Sequence, residues 1–158
     1  MRQKSKWSSS QRTWVCAITI LLFIMGVILY ASFRIVIVHG NSMFPTLHDG
    51  QILIVPKNSG KIEKGSIVVF KKDETVYIKR VIAIENDIVA MDAYAGYLAV
   101  NGIEILYEKP DCIKDPVINV IPEGCFFVLG DNYMESTDSR NSEVGLVSKA
   151  EIIGVARR

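Results

Sequence analysis

Three stretches of this chain gather residues that could do chemistry. The first is Gly40-Asn41-Ser42-Met43-Phe44-Pro45-Thr46-Leu47. The second, Tyr77-Ile78-Lys79-Arg80-Val81-Ile82, sets two cations in an otherwise apolar run. The third, residues 130–140, packs Gly130, Asp131, Asn132, Glu135, Ser136, Asp138, Ser139 and Arg140 into a polar segment behind an apolar one. Lys79 is the informative residue. A lysine buried in such a run is desolvated, and desolvation lowers its pKa. A neutral amine near pH 7 accepts a serine hydroxyl proton and so acts as general base. Serine does not attack an amide without that help, and a serine–lysine pair is one variant of the triad logic. Ser42 follows Gly40, whose backbone permits close approach, so backbone N–H groups there suit an oxyanion. The residues alone leave a second reading open, in which Lys79 snorkels from an edge strand and Ser42 caps a turn. His39 and His48 flank the first stretch and leave a serine–histidine pair conceivable. No His, Cys and carboxylate cluster has metal-ligand spacing, and no glycine-rich phosphate loop is present. No cofactor and no metal are therefore expected.

The framework around these residues follows from composition. At 158 residues the chain fits one domain, which excludes two full-sized domains and any long repeat array. A charged fraction of 22% without a long Pro, Gly or Ser tract excludes a wholly disordered chain. The net charge of +1 gives no case for a nucleic-acid partner. A mean hydropathy of +0.25 is high for a soluble domain, and its source is one run.

Residues 14–33 form 20 consecutive positions without a charge. As a helix they span about 30 Å, the thickness of a bilayer core. Trp14 at one end, and Tyr30 and Phe33 at the other, suit the two interfaces. The run is too long for a secretory h-region, and Tyr30-Ala31-Ser32 is a poor cleavage pattern, so a retained anchor is expected. Cys16 reads as an apolar filler within it. Of the 18 basic residues, Arg2, Lys4, Lys6 and Arg12 lie in the first 13, which hold no acid; the remaining 14 face all 17 acids. By the positive-inside tendency the tail stays cytoplasmic and the rest lies outside, with Arg34 opposing as one charge against four. The expected organisation is a basic cytoplasmic tail over 1–13, an anchor over 14–33 and an extracytoplasmic domain over 34–158.

The outer part reads as mostly β. Ile- and Val-rich runs at 34–38, 51–55, 66–70, 75–84, 87–91, 98–100, 103–105, 125–129 and 152–156 alternate with turn residues. Asn101-Gly102 predicts a tight hairpin, and Ser148-Lys149-Ala150-Glu151 a capping box opening a short helical turn. Residues 108–122, with Pro110, Pro116 and Pro122, read as a surface loop. A folded-over antiparallel sheet or small barrel behind a single transmembrane helix is expected. Cys112 and Cys125 are able to pair in an oxidising exterior, with two unpaired thiols the favoured alternative.

Together the three stretches resemble the type I signal peptidases of bacteria, membrane-anchored serine–lysine proteases. Ser42-Met43-Phe44-Pro45-Thr46 resembles the family's nucleophile box, and Lys79-Arg80 followed by Val81-Ile82 its lysine box. Gly130-Asp131-Asn132, then Ser136, Asp138, Ser139 and Arg140, resemble its third box. Lys64-Gly65-Ser66-Ile67-Val68-Val69-Phe70 is similar to the strand between them, with Ser66 where the family has Asp. After the lysine box the family's Gly-x-Pro-Gly-Asp is reduced to Asp87, so the turn there should differ.

The resemblance implies that Ser42 is the nucleophile and Lys79 the base. It implies that Ser136 orients the lysine, that Asp138 and Arg140 form a structural ion pair with Arg80 near the same acid, and that Gly130 and Asp131 support the loop. A second oxyanion donor in some members sits where this chain has Gly40, which leaves backbone N–H groups, chiefly that of Ser42. Substrates would be secretory preproteins with small residues before the cleaved bond. Lipid and the secretion translocon are the other partners expected. An extended substrate beside the strand leading to Ser42 would meet Val36 and Val38 on one face, with Met43 and Ile78 completing shallow apolar pockets. Two rivals remain: a self-cleaving repressor-type serine–lysine peptidase, and an inactive membrane-tethered assembly factor of the same fold. The anchor and the lack of a DNA-binding module oppose the first, and retention of Ser42 and Lys79 opposes the second.

Overall fold

The computed structural model describes residues 8–57, 60–92, 97–107 and 117–156. Helix α1 spans Ser9–Ser32. It starts five residues earlier than the apolar run because Ser8 caps it: Gln11 N–H donates to Ser8 Oγ, and the Ser8 N–H donates to Gln11 Oε1. Arg12 thus lies in the helix rather than in a tail, and Arg2, Lys4 and Lys6 lie outside the described residues. The large apolar side chains of α1 are exposed throughout, and the helix is long and apolar enough to cross a membrane. α1 ends by passing directly into strand β1, Phe33–Ile37.

The strands that follow are β2 Ile52–Pro56, β3 Ile67–Lys72, β4 Thr75–Ala83, β5 Ile88–Asp92, β6 Tyr97–Val100, β7 Ile103–Tyr107, β8 Val117–Val120, β9 Cys125–Leu129, β10 Val147–Ser148 and β11 Ile152–Ala156. All pairings are antiparallel. β1 and β2 form a two-stranded ribbon, β10-β9-β4-β3-β11 a five-stranded sheet, and β7-β6-β5-β8 a four-stranded sheet. Asn101 and Gly102 both take positive φ, 51° and 77°, and close the β6–β7 hairpin as expected. The capping box at Ser148 opens a single helical turn over Lys149–Glu151, also as expected.

One expectation fails. Residues 117–120 are not surface loop: β8 pairs with β5, and Ile121 behind it is 1% exposed. Pro116 and Pro122 bound a β-branched run rather than interrupt it, which is where strands tolerate proline. β10 was also not anticipated; two residues carry no period. Cys112, and with it the Cys112–Cys125 pairing, lies outside the described residues.

Three apolar clusters hold the body together. Alternate residues of β9 feed two of them: Phe127 and Leu129 join Ala83, Val89, Leu98 and Ile121, while Phe126 and Val128 join Val68, Phe70, Val81 and Val147. β9 is buried on both faces, which is why it reads as an unbroken apolar run. Val81 and Ala83 would share a face in a regular strand, yet they enter different clusters. The irregularity in the β4–β9 register falls between them and turns the strand over. The third cluster, Val38, Met43, Leu47 and Ile67, lies under the Ser42 segment and fixes it to β3.

Candidate active site

Ser42 sits in the turn that leaves β1, held from both sides. Val38 N–H donates to Gln51 O, and Gly50 N–H to Val38 O. The buried Met43 side chain, 1% exposed, anchors the next position. From the far end of the chain, Asn132 N–H donates to the Ser42 carbonyl across 3.0 Å. The first and third stretches are therefore joined by a backbone bond that spacing alone does not reveal.

Lys79 lies on β4, opposite Val68 of β3. Its side chain is 3% exposed, and Nζ stands 2.6 Å from Ser42 Oγ. Burial lowers its pKa from 10.5 to about 8; Asp138 works against that, Arg140 with it, and Asp131 against it. The pair has the geometry of a hydroxyl and the base that takes its proton. As an ammonium, Lys79 donates to Ser42; as a free amine, it accepts the hydroxyl proton.

The remaining residues of the third stretch form the scaffold. Asp138 is fully buried and accepts from Arg140 Nε at 2.8 Å and from the Gly130 N–H at 3.0 Å. Arg140 also donates to the Tyr133 carbonyl, which closes the loop on itself. Arg80 does not approach Asp138 as the resemblance suggested. Its guanidinium forks onto Asp131, with Nε 2.7 Å from Oδ1, and donates further to the Gly65 carbonyl and to Thr46 Oγ1. The reason lies in the strand: Lys79 and Arg80 are neighbours on β4 and project to opposite faces, so only one of them meets Ser42. The Asp131 hydrogen bond raises the Arg80 pKa. Thr46 thereby becomes a tie between the nucleophile segment and β4, a role that nothing in its spacing signalled.

Gly130 is required sterically. A Cβ there would overlap Ser136 Oγ and the Ser42 carbonyl. Ser136 Oγ is buried and has no hydrogen-bond partner among the described residues. A buried hydroxyl without a partner is costly.

Gly40 takes φ +77°, but its N–H donates to Asp49 Oδ1 at 2.7 Å. That amide is thereby committed to the turn. The Ser42 N–H has no acceptor among the described residues, which leaves it as the free donor of the two. His39 and His48 are not within hydrogen-bond distance of Ser42; His48 instead meets Phe44 edge to face at 5.5 Å. Among the described residues no group of His, Cys, Asp and Glu could hold a metal.

A groove of about 1420 Å³ leads to Ser42 and Lys79, and it begins at Leu29 and Tyr30 of α1. One wall is residues 33–38 and the other residues 75–79. Both walls are open strand edges among the described residues. β1 pairs only with β2, and β9 takes β4 only from Arg80 onward. Val36, Val38, Met43 and Ile78 all line the groove, Val38 and Met43 as its buried floor. Glu135 and Thr137 of the third stretch also line it.

A mostly β antiparallel body behind one apolar helix, carrying a serine–lysine contact at the end of a groove, defines a class of serine hydrolase. The comparisons give the family: the model described as "Signal peptidase, peptidase S26" matches residues 11–158, and the chain belongs to that family. A signal peptidase I of Bacillus amyloliquefaciens is 34% identical over 95% of this chain and 85% of its own length. Signal peptidase I S of Bacillus subtilis is 34% identical over 91% of this chain and 85% of its own. A crystal structure of a signal peptidase I from Enterococcus faecalis aligns with 62% of this chain and 98% of its own at 23% identity, with a TM-score of 0.47. The chain is a serine endopeptidase of the signal peptidase I type, whose substrates are secreted preproteins with signal peptides.

Proposed function

We propose that the chain removes signal peptides through a Ser42–Lys79 dyad. One observation carries this reading: the buried Lys79 amine lies 2.6 Å from Ser42 Oγ, with its pKa lowered to about 8. Neutral Lys79 takes the Ser42 proton as Oγ attacks the scissile carbonyl. The Ser42 N–H receives the oxyanion. The ammonium returns the proton to the leaving amine, and an acyl-enzyme remains. The same amine then draws a proton from water, which attacks the ester and frees Ser42. Ser136 Oγ is proposed to hold the amine in line. Asp138 and Arg140, with Arg80 and Asp131, hold the loop and strand that carry these groups.

The substrate strand is proposed to lie between the open edges of β1 and β4, with backbone pairing supplying affinity. Its side chains next to the cleaved bond would enter the shallow hollows over Val36, Val38, Met43 and Ile78. These hollows admit small residues.

Membrane anchoring by α1 is supported by its length and by its exposed apolar surface. The basic residues Arg2, Lys4, Lys6 and Arg12 favour a cytoplasmic N-terminus and an extracytoplasmic domain over 34–158. Lipid contact is also supported by the β1–β2 ribbon, whose Ile35, Ile37 and Ile54 border the groove. Ile35 and Ile37 pair with Ile54 and Ile52, and all four are exposed directly beyond α1. A preprotein emerging from the secretion translocon would then meet the groove at the membrane surface, where tethering raises the local concentration.

The experiment is preprotein processing in membranes by the Ser42→Ala and Lys79→Ala chains. Each should lose roughly a thousandfold or more of the wild-type rate. Wild-type processing by either variant overturns the dyad. An inactive wild-type chain would favour the assembly-factor reading.

A further inference from the structure

We infer that Glu135 selects the charge of the substrate residues flanking the cleaved bond, favouring a basic side chain there and disfavouring an acidic one. The inference rests on the Ser42–Lys79 reading of the groove. Ser136 takes an extended backbone, φ −112° and ψ 122°, so its neighbours project away from it. Ser136 Oγ points inward, against the point where a Gly130 Cβ would sit. Glu135 and Thr137 consequently face outward, are exposed, and line the groove beside Ser42 and Lys79.

Glu135 is the sole carboxylate among the described residues lining that groove. The cations Arg34 and Lys57 lie in its wall with Tyr30, toward α1, and Lys57 is engaged with the Tyr30 carbonyl and ring. The groove thus carries Arg34 and Lys57 toward the helix, while Glu135 shares its lining with the buried Lys79. The Glu135 carboxylate has no ion pair or hydrogen bond among the described residues. Exposed on the groove lining, Glu135 is placed to act on what enters the groove. An exposed charge of this kind gives discrimination more than raw affinity.

The test is a set of preprotein substrates carrying a single Lys, Asn or Asp at the second position before the bond, or at the first or second position after it. The wild-type chain should cleave the Lys form with a kcat/KM roughly 5-fold above the Asp form at one of these positions at low ionic strength. Added salt should shrink the ratio toward one. Glu135→Gln should abolish the ratio, and Glu135→Lys should reverse it. A ratio near one in the wild-type chain at every position, or an unchanged ratio in Glu135→Gln, overturns the inference. Should Ser42→Ala retain activity on the same substrates, the underlying reading of the site fails instead.

Discussion

Lys79 and Ser42 stand 37 positions apart in the chain, yet their side-chain ends meet at 2.6 Å in a place where the lysine is 3% exposed. Burial makes the amine a weaker base than a free lysine and thereby lets it be neutral at a usable pH. In the proposed mechanism only that neutral fraction can take the serine proton.

The pH dependence follows. With a lysine pKa of about 8 in the free enzyme, kcat/KM should rise tenfold per pH unit below that value and level off above it. Activity at pH 6 should be roughly 100-fold below the plateau. Steady-state cleavage of a preprotein between pH 5.5 and 9.5 measures this. A profile flat across pH 6–8 would remove Lys79 as the base.

The same burial has a cost in stability. Lys79 titrates near 10.5 when exposed and near 8 in the fold, so between those values the unfolded chain holds the extra proton. Stability from this group therefore rises with pH across that window, and its cost is fully present below about pH 8. Lys79→Met removes the buried charge. Its midpoint in thermal unfolding should exceed that of the wild type at pH 7, with the advantage shrinking by pH 10. An advantage that grows with pH would contradict the sign.

Gly130 tests the join between the nucleophile turn and the third stretch. In Gly130→Ala the new methyl overlaps Ser136 Oγ and the Ser42 carbonyl. It should destabilise the domain by about 1–3 kcal/mol and reduce kcat more than tenfold. Denaturant unfolding and cleavage assays read the two effects. Wild-type values in both would mean that the loop is looser than its contacts indicate.

Much of the fold was legible in the sequence because period and turn chemistry are local. The Asn101-Gly102 hairpin and the Ser148 capping box needed no tertiary information, and the runs at 125–129 and 152–156 match β9 and β11 in full. β8 was hidden because its two flanking prolines look like loop while its pairing partner lies in β5. At the site, residue types pointed to Ser42 and Lys79. The arrangement around them depends on which side of a strand each neighbour takes. Arg80 turned to Asp131 rather than Asp138, the Gly40 amide went to Asp49, and Thr46 met Arg80. Each of these contacts joins residues nine or more positions apart.

Covalent trapping decides whether Ser42 is the attacking residue. A mechanism-based acylating inhibitor of serine–lysine peptidases, followed by intact-mass measurement and peptide mapping, locates the nucleophile without relying on turnover. One acyl adduct per chain, on Ser42, is expected. The rate of labelling should rise with pH through about 8 and fall at least a thousandfold in Lys79→Ala. An adduct on any other residue, or undiminished labelling of the Ser42→Ala chain, would contradict it.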